Sequence, residues 1–346
     1  MRQVWVVRAG PPEVLVAREA PDPEPGPGQV RIRVEAAGVN FADVMMRLGV
    51  YPDAPPLPAV PGYEVAGTID AVGDGVDERR IGEPVMAFCR FGGYADALCV
   101  AQEAAFRRPD GVSAATGAAL PVNYLTAYQM LVVMAGVKAG ELVLVHGAAG
   151  GVGLAALDLC RLRGARVFGS ASPNKHSFLY ERGVEHCFDS RQTAFAAAVR
   201  AANGGRGADI VLEPRNGRWL MESYRALAPA GRLVVFGFSA AATGKGRDAL
   251  ATLRTLARVP WLGLNPIRLM NDNKALLGVN LGHMWDERER VRGWMVELLG
   301  WLAAGQIQPR VDRVFPLEDA ASAHHYLQDR RNVGKVLLVT GRGAAP

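Results

Sequence analysis

This sequence predicts an α/β fold: a doubly wound parallel sheet, preceded by a strand-rich region. Three observations carry that reading. From about residue 122 onward, short apolar runs alternate with helix-like segments. Between the run "LVLVHG" and the segment "VGLAALDLCRLRG" lies a loop with four glycines in seven residues, Gly147 to Gly153. The first hundred residues, by contrast, read as strands and turns.

The strand-rich region is punctuated clearly. "QVWVVRAG" and "QVRIRVEAAGVN" have the β-branched, alternating character of strands, and the Pro/Gly-rich "EAPDPEPGPGQ" reads as the turn between them. "GYEVAGTIDAVGDGV" continues the pattern. The later strands "LVLVHG", "ARVFGSAS", "ADIVLEP", "GRLVVFGF" and "ALLGVNLG" are nearly continuous in apolar residues, as a parallel sheet covered on both faces requires. Beyond Asp286, Val291, Trp294, Leu298, Trp301 and Leu302 recur at helical spacing and Gly305 closes the run. A last helix and the strand "GKVLLVTG" follow.

At 346 residues the chain has room for two domains. Its net charge of +5 is too small to argue for nucleic acid, and no nucleic-acid-binding motif is present. The four cysteines form no CxxC pair, which argues against a disulfide framework and fits a reducing cytoplasm. The apolar run before Arg8 is too short for a signal-peptide core. The uncharged stretch from Gly111 to Val137 is interrupted by Ser113, Thr116, Pro121, Asn123, Thr126 and Gln129, so it reads as two buried segments meeting at Pro121.

The glycine loop points to a dinucleotide. Gly150 permits a tight turn, Gly151 and Val152 bring backbone close to a pyrophosphate, and Gly153 lets the helix pack on its strand. The helix N-terminus then faces the anion, and Gly164 marks the helix end. An NAD enzyme usually places a carboxylate at the end of the second strand, but "VFGSASPNKH" has none. Ser170, Ser172 and Lys175 suit a 2′-phosphate instead, and so NADPH; the alternative for Lys175 is a solvated surface charge.

The chain resembles the medium-chain dehydrogenase/reductase superfamily. Within it, the likeness is to the zinc-free quinone oxidoreductase (zeta-crystallin-like) branch. The stretches that carry the resemblance are "AAGVNFADVMMRLGVYP", "PGYEVAGTI", "LPVNYLTAY", "HGAAGGVGLAALDLC" and "RRNVGKVLLV". "FGSASPNKHSFLYERGVEHCFD" and "ALLGVNLGHMWDE" are most similar to the vesicle amine transport protein group of that branch. The resemblance implies a mostly β, GroES-like catalytic domain over residues 1–121 and 285–346, around a Rossmann NADPH-binding domain over 122–284. It also implies a homodimer and a cofactor cleft between the domains.

Residue roles carry over from the same resemblance. Asn40 and Tyr51 are the expected catalytic pair, Tyr51 as a proton or hydrogen-bond donor and Asn40 holding the ribose–nicotinamide or the substrate carbonyl. The alternative for Tyr51 is an aromatic anchor packed on the prolines that follow. Asp43 is expected to organise the loop. Thr126, Phe236, Gly237, Phe238, Asn280 and Leu281 are expected along the cofactor, and Arg330 as a second partner for the 2′-phosphate. No metal is expected, because Asn40 and Tyr63–Glu64 stand where zinc-dependent relatives carry Cys and a His–Glu pair, and an amide and a phenol are poor zinc ligands. His146 is expected to be a packed core residue. Two departures stand out: Ser190, where the family often has a tyrosine over the adenine side, and Arg215 in "EPRNG", which could meet the cofactor or an anionic substrate.

Three functions compete at this point. One is NADPH-dependent quinone reduction. A second is reduction of the C=C bond of an enal, enone or enoyl thioester. The third is a nucleotide-binding protein that docks on a membrane or partner through the segment Ser239–Met270. That segment holds five basic residues (Lys245, Arg247, Arg254, Arg258, Arg268) against Asp248, together with "VPWLGLNPI". A helical lid or dimer contact with merely solvated charges is the alternative for it.

Overall fold

A computed structural model describes residues 1–192, 194–239 and 265–341. Among these, two compact units form. One holds residues 1–125 and 284–341, the other residues 126–239 and 265–283. The segment read as a membrane- or partner-binding element lies mostly outside the described residues.

The first unit is built on a seven-stranded sheet. Its order is Val311–Pro316, Lys335–Val339, Gln29–Val39, Glu64–Val72, Pro84–Phe88 and Ala105–Arg107, with Ala97–Ala101 also pairing to Gln29–Val39. The long strand Gln29–Val39 alternates half-buried and buried residues until its last four, which are all buried. Val30, Ile32 and Val34 point into a core shared with Val65, Ile69, Val85, Leu98 and Leu338. A separate antiparallel pair, Arg2–Val6 with Leu15–Glu19, contributes Val4 and Val6 to the same core. The Pro/Gly turn runs from Ala20 to Gly28, where Gly28 takes a φ of +71°.

The second unit contains a six-stranded sheet in which every pairing is parallel. Its order is His186–Asp189, Arg166–Ala171, Leu142–His146, Ala208–Glu213, Leu227–Val235, Ala275–Gly278. The order runs outward in both directions from the first strand, Leu142–His146, as in a doubly wound sheet. All five residues of that central strand are buried. The strand His186–Asp189 is absent from the sequence reading, because "HCFD" is short and flanked by polar residues.

Helices fall largely where periodicity places them. Arg288–Ala303 buries Val291, Trp294, Leu298 and Leu302, and Gly305 follows with φ +68°. The uncharged stretch forms two helices, Ala114–Ala118 and Pro121–Tyr128, separated near Pro121 as expected. The second continues as a wider π-type turn through Met134. No helix among the described residues is long and apolar enough to cross a membrane.

Candidate functional site

The glycine loop connects Leu142–His146 to the helix Gly151–Leu162. Gly147 turns the chain with φ +67°. A Cβ on Gly153 would lie 2.4 Å from the Gly147 carbonyl oxygen and 2.6 Å from that of Ala148, so only glycine lets the helix start this close to the turn. Gly150 precedes the helix without a side-chain cap, leaving the first N–H groups for something else to accept. The helix ends before Gly164, which has φ +68°. An uncapped helix N-terminus on a turn that excludes side chains is the cradle a pyrophosphate needs, so the residues present fit a dinucleotide.

Beneath the ends of these strands runs a buried polar chain. His146 Nδ1 lies 2.8 Å from Ser170 Oγ, and its Nε2 lies 3.3 Å from Ser223 Oγ. The Ser223 hydroxyl donates to Glu213. Ser223 oxygen is thus left to accept from His146 Nε2–H, and His146 Nδ1 to accept from the Ser170 hydroxyl. Burial, with Arg215 nearby and against the pull of Glu213, lowers the His146 pKa to about 3, so the ring is neutral. Arg215 pairs with Glu213 at 3.2 Å, donates to the Ser190 carbonyl at 3.2 Å, and lies over the Trp219 ring at 5.0 Å. Its guanidinium is thereby committed to the protein's own groups.

The expected cofactor contacts take distinct settings. Ser170 is 3% exposed and its hydroxyl is engaged by His146. Ser172 is half-buried just past that strand, and Lys175 closes the short turn Pro173–Lys175 with 9% exposure, so it is not a solvated surface charge. Phe236, Gly237 and Phe238 follow the strand Leu227–Val235, and a Cβ on Gly237 would meet the Pro214 carbonyl oxygen at 2.7 Å. Asn280 is exposed and accepts from Gly282 N–H at 3.0 Å, while Leu281 is buried beside it. Thr126 is buried on the helix Pro121–Tyr128. Arg330 is exposed in the first unit, with φ +55°.

The expected catalytic pair, Asn40 and Tyr51, lies in the first unit. Asn40 precedes the helix Phe41–Arg47 and is buried. Its amide is fully used: Nδ2 donates to Glu64 Oε1 at 2.9 Å and Oδ1 accepts from Lys335 Nζ at 2.6 Å. Lys335 also donates to Glu64 Oε1, and Glu64 Oε2 accepts from Val122 N–H at 2.7 Å. The ammonium is 3% and the carboxylate 0% exposed, so the two charges compensate each other out of water. Tyr51 is half-buried, its ring edge-on to Tyr63 at 6.2 Å, and burial pushes its phenol pKa up.

Asp43 holds the surrounding loop. It accepts from Asn40 N–H at 2.8 Å, Gly62 N–H at 2.9 Å and the Tyr94 hydroxyl at 3.2 Å. Tyr94 in turn lies 3.0 Å from His324 Nε2. Complete burial raises the Asp43 pKa to about 7 despite those donors. The sequence reading passes over Lys335 and Tyr94 as site residues. A lysine inside the apolar strand "GKVLLV" is the available signal for the first, since buried lysines need a partner. Among the described residues, no group of three or more His, Cys, Asp or Glu could hold a metal ion.

A parallel sheet with a glycine cradle, joined in one chain to a β-rich unit, defines a two-domain dehydrogenase or reductase of the nucleotide-dependent kind. Residues 26–126 match the family described as alcohol dehydrogenase GroES-like domain, and residues 182–338 that described as zinc-binding dehydrogenase. The synaptic vesicle membrane protein VAT-1 homolog of Rattus norvegicus is 41% identical over 330 residues, 94% of this chain and 80% of its own length. Human quinone oxidoreductase is 32% identical over 98% of both chains. The solved human VAT-1 homolog-like protein superposes with a TM-score of 0.85 at 32% identity, over 100% of this chain and 99% of its own. A mycobacterial protein solved with NADPH gives 0.86 at 31%, over 98% and 100%. The CurK enoyl reductase gives 0.84 at 28%, over 98% and 99%. The chain belongs to the medium-chain dehydrogenase/reductase superfamily, in the VAT-1 group of its quinone oxidoreductase branch.

The raised Asp43 pKa has a measurable consequence. With a folded value of about 7 against an unfolded value near 3.9, the neutral carboxyl stabilises the fold at low pH, and that stability is lost as pH rises through this window. Between pH 5 and 7.5, wild type should lose about 2.5 kcal/mol more than Asp43→Asn, at roughly 1.4 kcal/mol per pH unit. Urea unfolding at the two pH values measures this, and parallel losses would mean that Asp43 is ionised throughout.

Proposed function

We propose that this chain is an NADPH-dependent, zinc-independent reductase of quinones or related conjugated carbonyl compounds. The observation that carries the reading is the end of the second parallel strand. From Gly169 to Lys175 there is no carboxylate to favour a free ribose, and Ser172 and the largely buried Lys175 follow the strand directly. When bound, NADPH supplies the hydride. The protein's part is then to hold the carbonyl, exclude water and provide a donor for the developing oxyanion. Tyr51, with its phenol pKa raised by burial, remains protonated at neutral pH and can donate.

Zinc independence rests on donor chemistry. The Asn40 amide is taken by Glu64 and Lys335, and the adjacent ammonium would repel a dication. Tyr63 next to Glu64 offers a phenol whose pKa is pushed far up, chiefly by burial, so it has no phenolate to give. Reduction of a conjugated C=C bond is the second reading. It is favoured by the likeness to an enoyl reductase and by the protonated Tyr51, since that reaction must deliver a proton after the hydride.

Four outcomes test these readings. NADPH should exceed NADH in kcat/KM by about 10–100-fold, the worth of one charge-assisted contact of roughly 1.5–3 kcal/mol. Lys175→Glu should erode that preference through the NADPH value while leaving the NADH value nearly intact; a retained preference would remove Lys175 from the phosphate site. Tyr51→Phe should slow enones more than quinones, whose oxyanion can take its proton from water, and equal losses would make Tyr51 a packing residue. Elemental analysis should find no stoichiometric zinc in active protein, and chelators should leave its rate unchanged; one tightly held zinc per chain overturns the metal-free reading.

A further inference from the structure

A second candidate site lies wholly inside the first unit. A cavity of about 430 Å³ opens where the strands Pro84–Phe88 and Ala97–Ala101 approach the start of the helix Arg288–Ala303. That volume falls within the range of about 300–1,000 Å³ usual for small-molecule sites. Phe88 and Trp285 line it as a stacked pair, with ring centroids 4.3 Å apart and planes 12° from parallel. Phe106 and Val291 add apolar wall.

Charge is concentrated among its exposed lining residues. Arg90, Arg288 and Arg292 line the cavity, are all exposed, and none forms an ion pair among the described residues. Glu103 and Asp286 also line it, so the guanidinium groups outnumber the carboxylates. A guanidinium offers paired donors to a carboxylate or sulfonate and can also lie flat against a ring.

Phe91 joins this cavity to the catalytic loop. It lines the cavity with φ +67°, a strained conformation for a residue other than glycine. Its ring lies 4.9 Å from that of Tyr63, the residue edge-on to Tyr51. An aromatic path thus runs from the cavity to the expected proton donor.

We propose that this cavity binds a planar aromatic ring system bearing an anionic group. The ring packs on the Phe88–Trp285 pair, and the anion meets the arginines at the mouth. No residue of the glycine cradle lines the cavity, so the proposal does not rest on NADPH binding.

Calorimetric titration of the full chain without NADPH tests this, with naphthalene-2-sulfonate and the neutral 2-naphthalenemethanol as probes. The sulfonate should bind saturably at one site, about 10-fold more tightly than the alcohol. Trp285→Ala should weaken both probes about 10-fold through loss of the aromatic contact. The double variant Arg288→Glu/Arg292→Glu, at exposed positions that leave the fold intact, should weaken the sulfonate alone by about 10-fold. Absence of saturable sulfonate binding, equal affinity for the two probes, or sulfonate binding unchanged in the arginine variant each overturns the proposal.

Discussion

One buried ammonium organises the first unit. Lys335 enters a site where its charge is 3% exposed, and the Glu64 carboxylate with the Asn40 amide oxygen makes that tolerable. The pair need not add net stability over an apolar substitute, but removing either partner strands a charge in the interior. What it adds is registration. Glu64 reaches the N–H of Val122 at the start of one helix, and Lys335 reaches the Asn40 side chain at the start of another. Strand, loop and helix therefore share one electrostatic fastening, and the loop leading to Tyr51 begins from it.

The second unit solves a similar problem with neutral groups. Burial keeps the imidazole of His146 uncharged, and the polar chain from Ser170 through His146 and Ser223 to Glu213 fixes its tautomer. The only formal charges in it, Glu213 and Arg215, cancel locally. The strand ends near the glycine cradle are thus held without leaving a fixed net charge beneath them. A pyrophosphate brought to that edge would meet backbone N–H groups and a helix dipole.

Much of this is legible in the sequence alone. The parallel strands announce themselves because both faces are covered, which makes them continuous in Val and Leu. The helix at Arg288–Ala303 is readable from the spacing of Val291, Trp294, Leu298 and Leu302. The glycine cradle is readable because its conformation admits no side chain at Gly153. Local signals end where partners are remote. Glu64 and Lys335 are 271 residues apart, and no periodicity connects them. Ser170 illustrates the same limit: its position at a strand end is visible in sequence, but the direction its hydroxyl takes depends on His146 in the neighbouring strand. The short strand His186–Asp189 escapes notice because four residues with a histidine at one end and an aspartate at the other show no pattern.

The placement of the strand Lys335–Val339 between Val311–Pro316 and Gln29–Val39 bears on biosynthesis. As the chain leaves the ribosome, Gln29–Val39 and Glu64–Val72 emerge early, yet the strand that covers one edge of Gln29–Val39 arrives only with residues 335–339. Until then the backbone groups from Ala36 to Val39 lack their ladder partners on that edge, and Glu64 lacks its counter-ion. The parallel sheet needs no such wait, since its strands all lie between Leu142 and Gly278. The parallel sheet can therefore be completed first, and a nascent chain halted before Lys335 would expose an unfinished sheet edge, the kind of surface that makes partly folded chains aggregate and calls for chaperones.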